Sequence, residues 1–379
     1  MGVRHGYARP RYGVDRIFLL LVLLLVAYGT VTVFSAGVAY AEVRYGDALY
    51  FVKRQTLWLL IGGAFLIIGA SIPPRIYRKF TPHAYLLTLV LLVLVLAVGF
   101  VGNGAQRWIS VGPLTIQPSE IGKLTLVMML AYYFDRVGAR ALERRSRGRS
   151  FLFGTLIPFL IMLLPIILVM LQRHLSCIII LGLIGMLMIF ISGVDARYLG
   201  GFVGLGGLGV SCIALFTDYT KERITVWQNP EAYKLTGGWQ TLQGLMAIGS
   251  GGIFGVGYGE SMLKHSYVSE PANDMIFAIL CEELGFVGAA AALALFGLLI
   301  ARGCTIALRT QDGYARLVGL GIMIKLGVQV LLNVAVVTNT IPNTGISLPF
   351  FSYGGSSLIM MLFEMGIMLS VSRTARITK

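Results

Sequence analysis

The chain has 379 residues, of which 56% are hydrophobic and 13% charged, with a net charge of +14 and a mean hydropathy of +0.80. Soluble domains carry about 25% charged residues, so this composition excludes an ordinary soluble enzyme. The positive charge does not point to nucleic acid. The basic residues sit in short segments between long apolar runs, which is the pattern of a polytopic membrane protein.

A spanning helix needs about 20 apolar residues. Ten runs reach or approach that length: 17–36, 55–72, 83–101, 118–135, 151–171, 175–193, 197–216, 274–301, 314–337 and 355–372. The expected fold class is all-α, a polytopic membrane protein with ten transmembrane helices. Residues 1–379 form a single membrane domain, with a large extracytoplasmic loop, 217–273, between the seventh and eighth helices. The first run has a basic head and ends in Ala39-Tyr40-Ala41, as a cleaved leader does. Its apolar core exceeds the usual ~7–15 residues, and it is read as a retained helix. An even number of spans puts both termini on one side. Segments on that side hold Arg4, Arg9, Arg11 and Arg16, then Arg75, Arg78 and Lys79, the arginines of 136–149, and Arg373, Arg376 and Lys379. The other side carries less than half as many cations. The positive-inside rule then places both termini in the cytoplasm.

The third connection reads Gly102-Asn103-Gly104-Ala105-Gln106-Arg107-Trp108, then Gln117-Pro118-Ser119-Glu120-Ile121-Gly122-Lys123. Pro118 suits the first turn of a helix, which puts Glu120 and Lys123 at i and i+3 on one face. They form either a structural pair or a ligand contact. Arg107 is an interfacial anchor beside Trp108 or a bidentate phosphate holder. Four cysteines, Cys177, Cys212, Cys281 and Cys304, lie in or beside spans without a Cys-x-x-Cys pair and read as packing residues. The histidines are scattered and form no metal-ligand spacing.

The loop 217–273 holds the donors Arg223, Gln240, Gln243 and Lys264 and a glycine-dense stretch, 249–259. A nucleotide loop is excluded, because no Gly-Lys-Ser/Thr follows and no strand–loop–helix surrounds it. A re-entrant segment shielded by helices fits better. At its end stands Asp274, where the polar loop meets the apolar run of the eighth span. A carboxylate there is either a functional group or, with Asn273, a helix N-cap. Deeper, Glu282, Glu283, Lys325 and Glu364 fall within spans. An unpaired ammonium there is expensive, so Lys325 is expected to pair with one of these glutamates. The loop 338–357 is uncharged and rich in hydroxyls, Pro and Gly, with Ser352 and Tyr353 near its end. Such a loop either lines a cavity or makes a simple turn.

These segments resemble the SEDS family (shape, elongation, division and sporulation proteins), the membrane peptidoglycan polymerases. The matches are Gly104–Trp108 with Gln117–Lys123; Gln240-x-x-Gln243; Gly257-x-Gly259-x-Ser261-x-x-Lys264; the Glu270–Gly285 segment around Asp274; and Pro342–Ser356. Two departures stand out. His174 occupies the place of an acid in the fifth-to-sixth turn, and Asn273 replaces the threonine before Asp274. The resemblance implies a glycosyltransferase that polymerises lipid II, a disaccharide-pentapeptide on undecaprenyl pyrophosphate, with inversion, on the outer face of the bacterial cytoplasmic membrane. It implies Asp274 as general base, with Arg107, Glu120, Lys123, Arg223, Gln240, Gln243, Lys264, Ser352 and Tyr353 at the substrate. It is compatible with a divalent cation, Mg or Mn, although the sequence shows no ligand cluster. The implied partners are a class B penicillin-binding protein and membrane lipids. A lipid II flippase is the competing class, opposed by the lack of an inverted repeat and by the crowding of charge on one face.

Overall fold

The computed structural model describes residues 13–102, 105–111, 114–142, 151–194, 200–201, 204, 218–264 and 271–375. Three long apolar helices open the chain: α1 (Arg16–Tyr45), α2 (Tyr50–Ser71) and α3 (Pro74–Val98). Asp15 starts α1 by accepting from Phe18 N at 2.8 Å, and Gly46, in the left-handed region, ends it. α3 begins at Pro74 where hydropathy alone puts 83, because the polar first turns are helical although they are not apolar.

A small antiparallel sheet follows: β1 (Phe100–Gly102), β2 (Ala105–Val111) and β3 (Leu114–Ile116). It is the one departure from an all-helical bundle among the described residues. Next come α4 (Pro118–Leu142), α5 (Ile157–Leu171) and α6 (Leu175–Ile191). The seventh expected span, 197–216, falls largely outside the described residues. The long loop carries α7 (Asp218–Gln228) and α8 (Trp239–Gly251). The chain closes with α9 (Ile276–Leu308), α10 (Gly313–Val337) and α11 (Gly355–Ser372).

Seven helices among the described residues are long and apolar enough to cross a membrane, α5 among them together with the π-helical turn Leu152–Leu156 that leads into it, and α6 is a shorter apolar one. α4 is not among the seven; Glu120, Lys123, Asp135 and Arg136 dilute it. Its core-facing side is nevertheless closely packed, with Leu126, Val127, Leu130 and Ala131 buried against α10 and α6.

α9 breaks at Gly285, whose φ of 63° and ψ of −164° are open to glycine alone. A broken helix in lipid leaves backbone groups that must find partners. The segment after α8 supplies them. Val256 and Gly257 donate to the carbonyls of Glu282 and Glu283 at 2.9 and 3.1 Å. Phe286 and Val287 donate back to Gly252 and Ile253 at 2.9 and 3.1 Å. The carboxylates of the same turn fix the rest. Glu282 accepts from Ser261 Oγ and from Met262 N at 3.0 Å. Glu283 accepts from Ser35 Oγ at 2.6 Å and Lys264 Nζ at 2.9 Å.

Lys325 does pair with a glutamate, and the partner is Glu364. At the end of the bundle away from Asp274, Arg302 Nη2 meets Asp15 Oδ2 at 2.6 Å, and Arg78 pairs with Asp135.

Candidate active-site cleft

A cleft of about 630 Å³ opens at the start of α9. Four structural units build it: the sheet, the first turns of α4, the α5–α6 turn and the loop 338–354. α2 and the α7–α8 region complete its walls. Its lining holds four cations, Arg54, Arg107, Lys123 and Arg223, against two carboxylates, Asp274 and Glu120.

Asp274 is held from two sides. Gln240 Nε2 donates to its Oδ2 at 3.3 Å, and Asn343 Nδ2 donates to Gln240 Oε1 at 3.0 Å. The backbone is fixed by Asn333 of α10, whose Nδ2 donates to Asp274 O at 3.0 Å and to Ile346 O at 2.6 Å. Ser352 Oγ donates to Asn273 O at 2.7 Å and accepts from Leu348 N at 2.7 Å, while Tyr353 N donates to Ala272 O at 2.8 Å. The polar loop 338–354 is thus a clamp on the segment that carries Asp274. The helix-cap reading of Asp274 does not hold. The N-cap of α9 is Met275, with no side-chain cap bond, because residues 271–275 form turns held from the side by the loop.

Arg107 lies on β2, and its Nη2 donates to Arg173 O at 2.6 Å across to the α5–α6 turn. Arg223 of α7 donates to Asn343 O. Lys123 and Glu120 pair at 2.7 Å with side chains only 3% and 9% exposed, and both reach the cleft. They are a structural pair and cleft lining at once. Tyr353 lines the cleft close to Arg54. Burial raises its phenol above the ordinary value, against the opposing pull of Arg54, so it remains a neutral donor. His174 is pushed down to about 3 by burial and by the cations Arg107 and Lys123, with Glu120 pulling the other way. It is a neutral imidazole whose buried Nδ1 has no hydrogen-bond partner among the described residues.

Of the residues singled out from sequence, Asp274, Arg107, Glu120, Lys123, Arg223, Gln240, Ser352 and Tyr353 line this cleft. Gln243 and Lys264 do not. Gln243 is buried on α8, and Lys264 is committed to Glu283 and the Gly259 carbonyl. The sequence reading missed Arg54, Trp58, Gln329 and Asn343. Arg54 and Trp58 recur at i and i+4 in the polar start of α2, a spacing that marks one face of a helix.

No group of three His, Cys, Asp or Glu side chains gathers among the described residues. In the cleft Glu120 is engaged by Lys123 and Asp274 by Gln240. This donor set makes no preformed cage for a divalent cation.

Residues 15–377 match the family model FtsW/RodA/SpoVE, described as "Cell cycle protein". The chain is 38% identical over 367 residues to stage V sporulation protein E of Bacillus subtilis, covering 96% of this chain and 98% of that one. It is 35% identical over 361 residues to a probable peptidoglycan glycosyltransferase FtsW of Geobacter metallireducens, covering 94% of each. The fold matches a chain from a solved structure described as "Structural coordination of polymerization and crosslinking by a peptidoglycan synthase complex". The TM-score is 0.78 and the identity 30%, over 95% of this chain and 98% of that one.

Proposed function

Since the chain belongs to the FtsW/RodA/SpoVE family, we propose that it is a membrane peptidoglycan glycosyltransferase that polymerises lipid II into glycan strands. The observation that carries the reading is the cleft itself, where one clamped carboxylate, Asp274, faces a lining in which cations outnumber carboxylates two to one.

The chemistry follows from the groups present. A sugar hydroxyl has a high pKa and needs a base at attack. Asp274 accepts the proton of the acceptor's 4-hydroxyl. The freed oxygen attacks the anomeric carbon of the donor from the face opposite the leaving group. The carbon–oxygen bond to pyrophosphate breaks with its electron pair, giving inversion. The departing undecaprenyl pyrophosphate carries negative charge, for which Arg107, Arg223, Arg54 and Lys123 are the stabilising groups. Gln240 orients the base, and Asn343 orients Gln240. The lipid tail lies between helices, and the cleft faces the outer side of the membrane, with both termini in the cytoplasm. A class B penicillin-binding protein that crosslinks the strands is the expected partner. Its support is the pairing of polymerisation with crosslinking in the description of the similar synthase complex.

The test is purified protein in liposomes with labelled lipid II. Glycan polymer supports the reading. Lipid II moved across the bilayer with no polymer formed supports a flippase and removes it.

A further inference from the structure

Four buried charges stand together beside the cleft. Glu120 and Lys123 pair on α4 and line it. Behind them Lys325 of α10 and Glu364 of α11 form a second pair, each side chain 1% exposed, and neither lines the cleft. The two pairs are not independent. α10 packs on α4 with Gly321 against Val127, and one turn nearer the cleft this contact sets Lys325 level with Lys123. Lys325 is accordingly a charge neighbour of Glu120, and Glu364 of Lys123. Each carboxylate also has an oxygen to spare. Glu120 Oε2 and Glu364 Oε2 are buried with no hydrogen-bond partner among the described residues. Gln329, one turn along α10 from Lys325, lines the cleft with its Oε1 likewise unpaired.

A buried ion pair is often no more stable than apolar residues of the same volume, whereas a single buried charge left without a partner is strongly destabilising. That asymmetry gives the inner pair a task. Lys123 is the cation of the cleft floor, yet its ammonium is held by Glu120. A phosphate that draws Lys123 away leaves Glu120 uncompensated unless another cation is at hand.

We propose that Lys325, held in place by Glu364, is a positioning residue for the reaction. It carries the charge of Glu120 when Lys123 turns to the pyrophosphate of the substrate. The inference rests on the polymerase reading, which supplies that pyrophosphate. It requires no covalent bond and no proton transfer: Lys325 is shared between Glu364 and the spare Oε2 of Glu120 while Lys123 faces the phosphate.

Two double variants test it, each with a melting temperature in detergent and steady-state polymerisation of lipid II. Lys325→Met with Glu364→Met removes the inner pair without stranding a charge. Lys325→Glu with Glu364→Lys restores a pair but sets a carboxylate beside Glu120. The Met variant is expected to melt near the wild type, and the swapped variant to fold with a lower melting temperature because two carboxylates then adjoin. Both are expected to raise KM for lipid II at least about tenfold, with kcat within about threefold, the signature of lost binding that the pyrophosphate has equally in the ground and transition states. Kinetics within about twofold of wild type in either folded variant overturn the inference. So does failure of both to fold, which makes the pair a framework element. A wild-type protein that forms no polymer fails the polymerase reading instead.

Discussion

Gln240 Nε2 donates to Asp274 Oδ2 at 3.3 Å, and Gln240 is itself held by Asn343 Nδ2 at 3.0 Å. The long loop and the 338–354 loop therefore reach the carboxylate in series, Asn343 holding Gln240 and Gln240 holding Asp274. A base that must approach a hydroxyl in one geometry gains from a fixed neighbour. Gln240→Met keeps the length of the side chain and removes both bonds. We expect kcat to fall by about 10- to 100-fold, the range of a mispositioned catalytic group, with little change in melting temperature. An unchanged kcat removes Gln240 from the site.

Asn333 makes the corresponding backbone connection, from α10 to Asp274 O and Ile346 O. Asn333→Leu leaves two carbonyls without this donor at a position that is 0% exposed. Each buried group left unsatisfied costs about 1–3 kcal/mol. A clear drop in melting temperature in detergent is expected, together with lost activity. A variant as stable as the wild type shows that the clamp does not depend on Asn333.

Gly285 tests the stitching of α9. A methyl group there would lie 2.3 Å from Gly255 N, on a backbone with φ of 63°. Strain of this kind costs about 1–3 kcal/mol before any clash is counted. Gly285→Ala is expected to destabilise the protein and to loosen the 252–264 segment, read as faster proteolysis within it. Wild-type melting and cleavage would show that the kink tolerates a side chain.

Seven of the ten apolar runs are spans among the described residues, and they were legible because lipid selects one pattern, a run of about 20 apolar residues. The Lys325–Glu364 pair was legible in part, since an ammonium at that depth needs a partner, but three glutamates competed and packing alone chose. The sheet was missed, although Ile109-Ser110-Val111 alternates and Gly112-Pro113 separates it from Leu114–Ile116, a hairpin signal. Its polar residues were read for chemistry and not for periodicity. Lys264 shows the opposite limit. Loop spacing offers it as a donor near Asp274, while the fold turns it to Glu283 at the kink. Arg54 was passed over because the polar start of α2 reads as a connection rather than as a helix. The cap reading of Asp274 failed because a clamp from residues far along the chain leaves no trace in local sequence.

His174 carries a pH signature. Its folded pKa, about 3, lies below the ordinary imidazole value of about 6.5. Between those values the unfolded chain takes up a proton that the folded protein refuses. The stability owed to the neutral imidazole is therefore fully present above about pH 6.5 and is lost as pH falls towards 3. His174→Gln removes this contribution. Melting temperatures followed from pH 7 to pH 5 are expected to fall less steeply in the variant than in the wild type. Parallel curves would show that His174 is readily protonated in the folded protein.

The central claim is that Asp274 takes the proton of the incoming hydroxyl. Asp274→Asn preserves size and can still accept from Gln240, but an amide is no base. Polymerisation of lipid II by the purified variant, with its melting temperature recorded in the same preparation, is the direct measurement. The account predicts a folded protein, melting with the wild type, that forms no glycan chains. Chains made at a rate within about tenfold of the wild type would contradict it, since loss of a general base costs about 10²–10⁴-fold.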